Sequence, residues 1–231
     1  MISKIIKLNF FKIKFLNERV KTRKLKKKIK NYKIFNEFEE IIKNKKFSTK
    51  WFLNNYKIFG FFFPSDFNKK FNYLEIGSFE GMSALFIVSF WKNSNVTCID
   101  TWKVNNDKSQ ILNYDFTNIE QTFKKNLENY DINIVKNDSR NALQNLKKKG
   151  LYYDYIYIDG SHNGLDIFSD AKLSFELLNQ NGIIIFDDIQ NIYNEINFQP
   201  HQAFEKFYNL YKNKIKILYL KNIAIIKKIN F

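Results

Sequence analysis

The sequence predicts an α/β fold built on a mostly parallel β-sheet, and two features indicate it. From residue 71 onward, short apolar runs alternate with longer segments whose apolar residues recur at helical spacing. Such alternation is typical of parallel strands joined by crossover helices. Near the end of the chain, two further apolar runs flank only Lys221 and Asn222, and so short a connection predicts an antiparallel hairpin at the edge of the sheet.

Seven strands and five helices are predicted in this part of the chain. The strands are Tyr73 to Ile76, Val96 to Ile99, Ile132 to Val135, Tyr153 to Ile158, Ile183 to Phe186, Ile215 to Leu220 and Ile223 to Lys227. The helices are Met82 to about Phe90, Asn118 to about Tyr130, about Ser139 to Lys148, about Leu165 to Leu178, and Gln202 to about Tyr211. A turn from Asn179 to Gly182 is expected just before the fifth strand.

The turn after the first strand carries two glycines before the helix that begins at Met82. Gly77 and Gly81 bracket a place where the backbone must approach something that a side chain would exclude. A dinucleotide site has the spacing Gly-x-Gly-x-x-Gly and seats a pyrophosphate on the helix N-terminus. Here the spacing is Glu-x-Gly-x-x-x-Gly, and Glu80 would repel a pyrophosphate. The turn therefore favours a ligand with a cationic amine and no phosphate over NAD.

Acidic and small polar residues follow all five strands that are predicted to be parallel. They are Glu75 to Gly81, Asp100, Asn137 to Ser139, Asp159 to His162, and Asp187 with Asp188. Ligands of open parallel sheets bind at these strand ends, near the point where the strand order reverses. One acid at a strand end is weak evidence, but the same placement on strand after strand predicts a polar ligand site.

The net charge of +15 is concentrated at the start of the chain. Residues 1–33 hold thirteen Lys or Arg residues against the single acid Glu18, a net +12, which leaves +3 for the rest. We therefore predict a basic arm at 1–33, a helical and aromatic cap or lid at 34–70, and the main domain at 71–231. A nucleic-acid-binding protein would also spread basic and aromatic residues over its folded surface, so the nearly balanced domain argues against that class.

Two interpretations of the basic arm stay open. Because Ile, Leu and Phe alternate with Lys, the arm could form an amphipathic helix that lies on an anionic membrane surface or another polyanion. Alternatively it is a poorly ordered, solvated tail whose apolar crowd, from Phe10 to Leu16, docks on the domain. The sequence does not indicate an oligomeric state.

Cysteine content and hydropathy bear on the cellular location. The single cysteine, Cys98, lies in the apolar second strand, where a buried and inert thiol is expected. No apolar run approaches the length of a membrane-spanning helix, and lysines interrupt the first segment, so neither a transmembrane helix nor a signal peptide is predicted. We expect a reducing, cytoplasmic location.

These motifs together resemble those of a known family. Tyr73 to Gly81, taken with Asp100 and with the acids after the fourth and fifth strands, resembles class I S-adenosylmethionine-dependent methyltransferases. The sequence is most similar to the small-molecule and sugar O-methyltransferase branch that includes macrocin-type enzymes. The resemblance covers roughly Trp51 to Lys228 and leaves out the arm. It implies a Rossmann-like three-layer sandwich that methylates a hydroxyl of a small molecule or sugar.

The resemblance also implies which residues hold S-adenosylmethionine. The matching positions are Glu75, Gly77, Ser78, Gly81, Asp100, Asp138 and Ser139. The glycine turn would pack against the methionine part, and Asp100 would accept hydrogen bonds from two ribose hydroxyls. Asp138 is either an adenine contact or the N-cap of the next helix. Glu75 is either a cofactor-site residue or a buried acid that orients the turn.

Three acids at adjacent strand ends, Asp159, Asp187 and Asp188, could converge. They would repel one another unless a hard cation neutralised them, and in the macrocin-like relatives such a trio binds Mg²⁺. Those relatives tend to carry a further acid where this chain has Ser161. With Asp159, His162 is the predicted catalytic residue, because the ordinary pKa of histidine suits proton removal near neutrality. The alternative is that His162 caps a helix or holds its loop.

Other functions and the acceptor stay open. The alternatives are a metal-independent methyltransferase, a nucleic-acid- or polyanion-binding protein that uses the arm, and a non-catalytic scaffold. Several aromatic residues could line an acceptor pocket or simply belong to the core. They are Trp51, Trp102, Tyr114 and the run Phe59 to Phe63. By analogy alone, sugars of bacterial surface glycans are the expected acceptors.

Overall fold

The computed structural model describes residues 1–26, 33–103 and 118–229, and these confirm the predicted α/β class. The strands are β1 (Asn72–Ile76), β2 (Asn95–Asp100), β3 (Ile132–Lys136), β4 (Tyr153–Ile158), β5 (Leu178–Phe186), β6 (Ile215–Leu220) and β7 (Ala224–Lys228). They form one sheet in the order β3-β2-β1-β4-β5-β7-β6. β1 to β5 pair in parallel, and β6 and β7 are the antiparallel hairpin that was predicted at the edge.

The described helices lie before, between and after these strands. They are α1 (Ile2–Lys14), α2 (Leu16–Lys26), α3 (Lys33–Lys43), a 3₁₀-helix (Trp51–Asn54), α4 (Tyr56–Phe61), α5 (Met82–Phe90), α6 (Ile119–Asn126), α7 (Ser139–Lys148), α8 (Gly164–Leu177) and α9 (Pro200–Tyr211). The bounds of α5 and α7 are those predicted. α6 is shorter than predicted, because Leu127 takes its C-cap position.

The strand order places a topological switch point beside β1. The chain builds β1, β2 and β3 outward in one direction and then returns to set β4 on the other side of β1. At its last residue, Ile76, β1 pairs with Ile99 of β2 and with Ile158 of β4. The loops that follow β1 and β4 therefore diverge from neighbouring points, and a crevice for a ligand opens there.

Helices cover both faces of the sheet and bury two apolar clusters. Along β5, Ile183 and Ile185 belong to one cluster, whereas Ile184 and Phe186 belong to the other. The first cluster includes α3, α4 and α5, and the second includes α8 and α9. α5 is apolar on all sides and is buried from Met82 to Val88, as expected of a helix enclosed between a sheet and further helices.

The prediction of a turn at Asn179 to Gly182 is wrong, since these residues lie inside β5. Pairing with β4 jumps from Tyr153–Leu178 to Tyr155–Ile183, so the extra residues form an irregularity of the bulge type. Asn181 adopts a φ of 65° within it. That left-handed backbone explains why the segment has the composition of a turn.

The basic arm is helical over its described residues, and α1 packs on α9. Phe11 lies 6.0 Å from Phe204 between ring centroids, and Phe15 lies 4.9 Å from Tyr208. The apolar residues from Phe10 to Leu16 therefore face two environments. Phe11 and Phe15 are buried, whereas Phe10, Ile13 and Leu16 are exposed.

Helix α2 covers the outer edge of the sheet. The Oγ1 atom of Thr22 accepts a hydrogen bond of 2.9 Å from the backbone N–H of Leu220 in the edge strand β6, and both groups are buried. An edge strand covered in this way is closed to pairing with another chain. No helix within the described ranges is both long and apolar enough to cross a membrane.

Candidate active site

A cavity of about 1460 Å³ opens at the carboxyl ends of the central strands. Backbone hydrogen bonds continue the sheet past the strand ends and fix the residues at the cavity wall. The N–H of Gly77 donates to the carbonyl of Ile99 at 2.8 Å, and the N–H of Asp159 donates to the carbonyl of Ile76 at 2.9 Å. The first residues of the site loops are therefore positioned by the sheet itself.

Most of the residues predicted to form a site line this cavity. They are Gly77, Ser78, Asp100, Asp138, Ser139, Asp159, His162, Asp187 and Asp188. The two exceptions are Glu75 and Gly81. The topology thus brings together acids from four strand ends that are far apart in the sequence.

Gly77 is where the turn after β1 meets the end of β4. Its φ is 86°, a left-handed conformation that favours glycine. A Cβ atom at this position would lie 2.4 Å from the carbonyl oxygen of Asp159 and 2.4 Å from Cα of Gly160. The neighbours are backbone atoms, so this contact leaves no room for any side chain.

Asp100 ties the turn after β1 to the end of β2. Its Oδ2 accepts a hydrogen bond from the N–H of Phe79 at 2.8 Å, and its Oδ1 accepts one from the N–H of Trp102 at 2.7 Å. Burial raises the pKa of Asp100, and these backbone donors oppose the rise. Because a carboxylate oxygen can accept more than one hydrogen bond, Asp100 can still bind donors that enter the cavity.

Asp138 is the N-cap of α7, which confirms one of its two predicted roles. Its Oδ1 accepts a hydrogen bond of 3.0 Å from the N–H of Asn141, and this bond lowers the pKa of Asp138. The side chain is exposed at the cavity wall. Capping and ligand contact are therefore compatible at this position.

Asp159 and Asp187 share one donor, the hydroxyl of Tyr157, which bonds to Oδ2 of both carboxylates. Burial, and then the charges of Asp187 and Asp188, hold the pKa of Asp159 well above its ordinary range. Burial and the charge of Asp188 likewise raise the pKa of Asp187 to about 6. The Tyr157 hydroxyl, which has a single proton to donate, thus lies between two carboxyl groups whose charges repel each other.

Asp188, which follows β5, lies beside His162 in the loop that follows β4. Its Oδ2 lies 3.7 Å from Nε2 of His162, and its Oδ1 accepts a hydrogen bond of 2.8 Å from Nδ2 of Asn222. The imidazole of His162 stacks on the ring of Tyr193, with centroids 4.6 Å apart and an angle of 24° between the planes. The contact with Tyr193 sets the ring plane, and Asp188 lies beside one ring nitrogen.

Buried Gln199 positions the loop that carries Tyr193. It accepts a hydrogen bond of 2.9 Å from the N–H of Tyr193 and donates one of 2.9 Å to its carbonyl oxygen. Gln199 is also the N-cap of α9, where it forms a capping box with Gln202. The start of α9 thus fixes the ring that packs against His162.

The cap contributes directly to the cavity, and sequence reasoning missed the part that Asn55 plays in it. Nδ2 of Asn55 donates a hydrogen bond of 2.9 Å to Oδ1 of Asp187. Trp51 stacks on Phe79 of the glycine turn, with centroids 5.8 Å apart and the rings 26° from parallel. The cap therefore reaches both the acids after β5 and the turn after β1.

Glu80 and Asn126 anchor the cap to the glycine turn. The carboxylate of Glu80 accepts a hydrogen bond of 2.7 Å from the N–H of Ser48. The side chain of buried Asn126 accepts from the N–H of Lys46, donates to its carbonyl oxygen, and donates to the carbonyl of Glu80. Glu80 therefore has a structural role as well as a place at the cavity wall.

Glu75 and Gly81 depart from the predicted cofactor contacts, because neither lines the cavity. Glu75 is 0% exposed and accepts a hydrogen bond of 2.6 Å from the hydroxyl of Tyr73. Burial raises the pKa of Glu75 to about 7, so it is the buried acid of the two alternatives. Gly81 instead has a φ of 83°, a left-handed conformation that favours glycine, and a Cβ there would lie 2.7 Å from Cδ1 of Leu127.

Sequence reasoning also missed two acids on α8 that line the cavity. Asp166 accepts a hydrogen bond of 2.8 Å from Oγ of Ser161, and Asp170 lies one helical turn further on. Burial raises the pKa of Asp170 to about 7, and a hydrogen bond with Ser139 opposes the rise. The spacing of four residues on a helix that faces the strand ends was the signal that could have found them.

The predicted aromatic pocket divides between cavity and core. Trp51 and Trp102 line the cavity. Phe59 and Phe63 are buried in the core cluster on one face of the sheet. Tyr114 lies outside the described residues, and Cys98 is buried as expected.

The acid trio fits a hard cation in its chemistry. In the described part of the chain, no group of three or more His, Cys, Asp or Glu side chains is already arranged to hold a metal ion. Tyr157 and Asn222 instead bond to the oxygens of the trio. The donors are nonetheless all carboxylate oxygens, the ligands that Mg²⁺ prefers, and burial followed by mutual repulsion raises the pKa of Asp159 and Asp187.

Comparison with known proteins supports one family. Residues 74–189, about half of the chain, match a family model described as a methyltransferase domain. The match begins in β1 and ends just after Asp188, so it contains the glycine turn and all the strand-end acids.

Two curated relatives are similar to about half of the chain. A probable caffeoyl-CoA O-methyltransferase 3 of Dictyostelium discoideum is 29% identical over 119 residues, which are 50% of this chain and 43% of the relative. An uncharacterized protein of Acanthamoeba polyphaga mimivirus is 26% identical over 123 residues, 52% of each chain. The chain therefore spans about half the length of the curated relatives that it matches.

The fold is similar to that of solved methyltransferases. One is the MycE methyltransferase from the mycinamycin biosynthetic pathway, solved in complex with Mg, SAH and mycinamycin VI. It matches with a TM-score of 0.59 at 15% identity, over 87% of this chain and 56% of that chain. At this identity the likeness is one of fold.

Gly77→Ala should destabilise the protein by more than about 2 kcal/mol, because it adds both backbone strain and a clash with Asp159 and Gly160. Gly150→Ala is the matched control, since Gly150 has a φ of 67° but no atom within 4 Å of an added Cβ. The control should lose only about 1 kcal/mol. Urea unfolding measures both, and equal losses would show that the close approach at Gly77 imposes no constraint.

Glu75→Gln should flatten the pH dependence of stability. The folded protein holds the Glu75 proton up to about pH 7, whereas the ordinary pKa is 4.5, so wild-type stability falls as pH rises between these values. Above pH 7 the variant should therefore be the more stable, by on the order of 3 kcal/mol. The measurement is the free energy of unfolding as a function of pH, with the exposed Glu128→Gln as the control. If that free energy depended on pH in the same way in the wild type and in Glu75→Gln, the prediction would be contradicted.

Proposed function

This chain belongs to the methyltransferase-domain family, and we propose that it transfers the methyl group of S-adenosylmethionine to a hydroxyl of a small molecule or sugar. One observation carries the proposal: Gly77, Asp100 and the acids after β4 and β5 line one cavity at the switch point of the sheet. The name of the Dictyostelium relative supports oxygen as the acceptor atom.

The glycine turn and Asp100 form the proposed cofactor side of the cavity. When bound, S-adenosylmethionine supplies a methyl group on a positively charged sulfur. The close approach of Gly77 to Asp159 and Gly160 holds the backbone of the turn at the cavity wall, where it can contact the cofactor. Asp100 accepts hydrogen bonds from the two ribose hydroxyls. The N–H groups of Phe79 and Trp102 already hold its carboxylate in place. The surrounding carboxylates favour a cationic ligand over a phosphate-bearing one.

The acceptor side lies between the cap and the loops after β4 and β5. The acceptor oxygen forms its bond to the methyl carbon as the carbon–sulfur bond breaks, and its proton goes to Nε2 of His162. Asp188, 3.7 Å from that nitrogen, stabilises the imidazolium that results. Trp51 of the cap offers a flat apolar face on which a sugar or aromatic ring can stack.

Mg²⁺ is the second proposed cofactor, held by Asp159, Asp187 and Asp188. It would lower the pKa of the acceptor hydroxyl. The all-carboxylate donor set supports it, as does the presence of Mg in the MycE complex. A metal-independent reaction is the alternative, and the hydroxyl of Tyr157 favours it, because it already joins Asp159 to Asp187 without an ion.

Calorimetry should detect S-adenosylmethionine binding to the wild-type protein, and Asp100→Asn should weaken it by about tenfold to a hundredfold. The substitution removes the charge from the acceptor of two hydrogen bonds, a loss of about 1.5–3 kcal/mol. Asp131→Asn, on the exposed surface, is the control and should bind as wild type. No heat from the wild-type protein at high micromolar cofactor would defeat the proposal.

Mg²⁺ should raise the thermal midpoint of the wild-type protein and of His162→Gln but not that of Asp188→Asn. In this pair of variants one loses a metal ligand and the other loses only the base. His162→Gln should also keep cofactor binding while its transfer of labelled methyl to a panel of sugars and phenols falls by about a hundredfold or more. If Mg²⁺ raised the thermal midpoint equally in all three proteins, the proposed metal site would be ruled out. Full methyl transfer by His162→Gln would rule out His162 as the base.

A further inference from the structure

We propose that the basic arm is a membrane-docking element, and that an exposed apolar stripe on α1 inserts into the interface of an anionic lipid bilayer. The stripe consists of Ile2, Ile6, Phe10 and Ile13. The inference concerns where the protein resides, and it does not rest on methyl transfer.

One face of α1 is occupied by contacts with the domain. Leu8, Phe11 and Phe15 are buried there, and Lys14 pairs with Glu205 of α9 at 2.6 Å. Nζ of Lys4 also donates a hydrogen bond of 3.0 Å to the carbonyl of Tyr193. These contacts fix the rotation of the helix, so the direction in which its other face points is set.

The opposite face of α1 carries the stripe. Its residues are four, four and three positions apart, so they lie on one side of the helix. Their exposed fractions are 77% for Ile2, 48% for Ile6, 67% for Phe10 and 68% for Ile13. Leu16 and Val20 of α2 are exposed as well. A row of large apolar side chains left in water is uncommon on a folded protein and marks a contact surface.

Basic residues accompany the stripe. The exposed cations of the two helices include Lys7, Lys21 and Arg23, and the 1–33 segment has a net charge of +12. A helix with bulky apolar residues on one side and lysines around them lies in the plane of a bilayer interface. Each nearby Lys or Arg adds attraction to anionic headgroups.

Charge and apolar surface together favour a bilayer over other occupants. A nucleic acid would engage the lysines but would leave the isoleucines and Phe10 in water. A second copy of the chain would bury the apolar stripe but would bring two arms of +12 together. An anionic bilayer satisfies both features at once.

The test is co-sedimentation of the full chain with vesicles. Wild-type protein should bind vesicles of phosphatidylglycerol and phosphatidylcholine at least about tenfold more tightly than pure phosphatidylcholine vesicles. The triple variant Ile6→Ser, Phe10→Ser, Ile13→Ser should lose at least about tenfold of that binding. Because all three side chains are exposed, its circular dichroism and thermal midpoint should match the wild type.

Matched controls distinguish the stripe and its lysines from exposed leucines and lysines elsewhere on the surface. Leu151→Ser with Leu165→Ser removes exposed leucines outside the arm and should bind as wild type. Lys7→Gln with Lys21→Gln should weaken binding to the anionic vesicles, whereas Lys148→Gln with Lys149→Gln, on the exposed end of α7, should not.

Three results would overturn the proposal. The first is no binding of the wild-type protein to the mixed vesicles. The second is retention on heparin with unchanged strength in the serine variant and no vesicle binding, which would identify a polyanion as the partner. The third is a wild-type dimer in solution that the serine variant abolishes, which would show that a second copy covers the stripe.

Discussion

Gly77 brings the backbone after β1 against the backbone after β4, and the geometry of the cavity depends on this contact. A side chain there would collide with main-chain atoms of Asp159 and Gly160, which cannot move without breaking the sheet. The contact keeps the glycine turn on one side of the crevice and the acids of β4 and β5 on the other. Gly77 therefore links the glycine turn of the sequence, the pairing of β1 with β4 and the position of the cavity.

The carboxyl groups of the cavity are costly to the fold. Burial raises the pKa of Asp159, Asp170 and Asp187, so each is held in its charged form less readily than in water. A protein selected for stability alone would replace them with apolar residues. Their concentration at one place fits a site that binds positive charge, whether on a sulfonium, an amine or a metal ion.

The sequence predicts the strands and the strand-end acids well, because both depend on local patterns. Periodicity locates β1 to β4 within one residue at each end, and the N-cap of Asp138 follows from its place before α7. The contributions of Asn55 and Tyr157 were not predictable, because they depend on contacts between the cap and the sheet and between neighbouring strands. Glu75 was ambiguous for a related reason, since strand alternation alone does not show how deeply an acid at a strand end is buried.

The hydrogen bond from Lys4 to the carbonyl of Tyr193 joins the arm to the loop that packs on His162. Through the side chain of Lys4, the first turn of α1 contacts the residue whose ring stacks on the imidazole. A fusion tag attached ahead of Met1, or a proteolytic cut within α1, would therefore disturb the environment of a residue that lies far from α1 in the sequence. Preparations of this protein that differ only at the N terminus should therefore be compared for the state of the cavity before they are treated as equivalent.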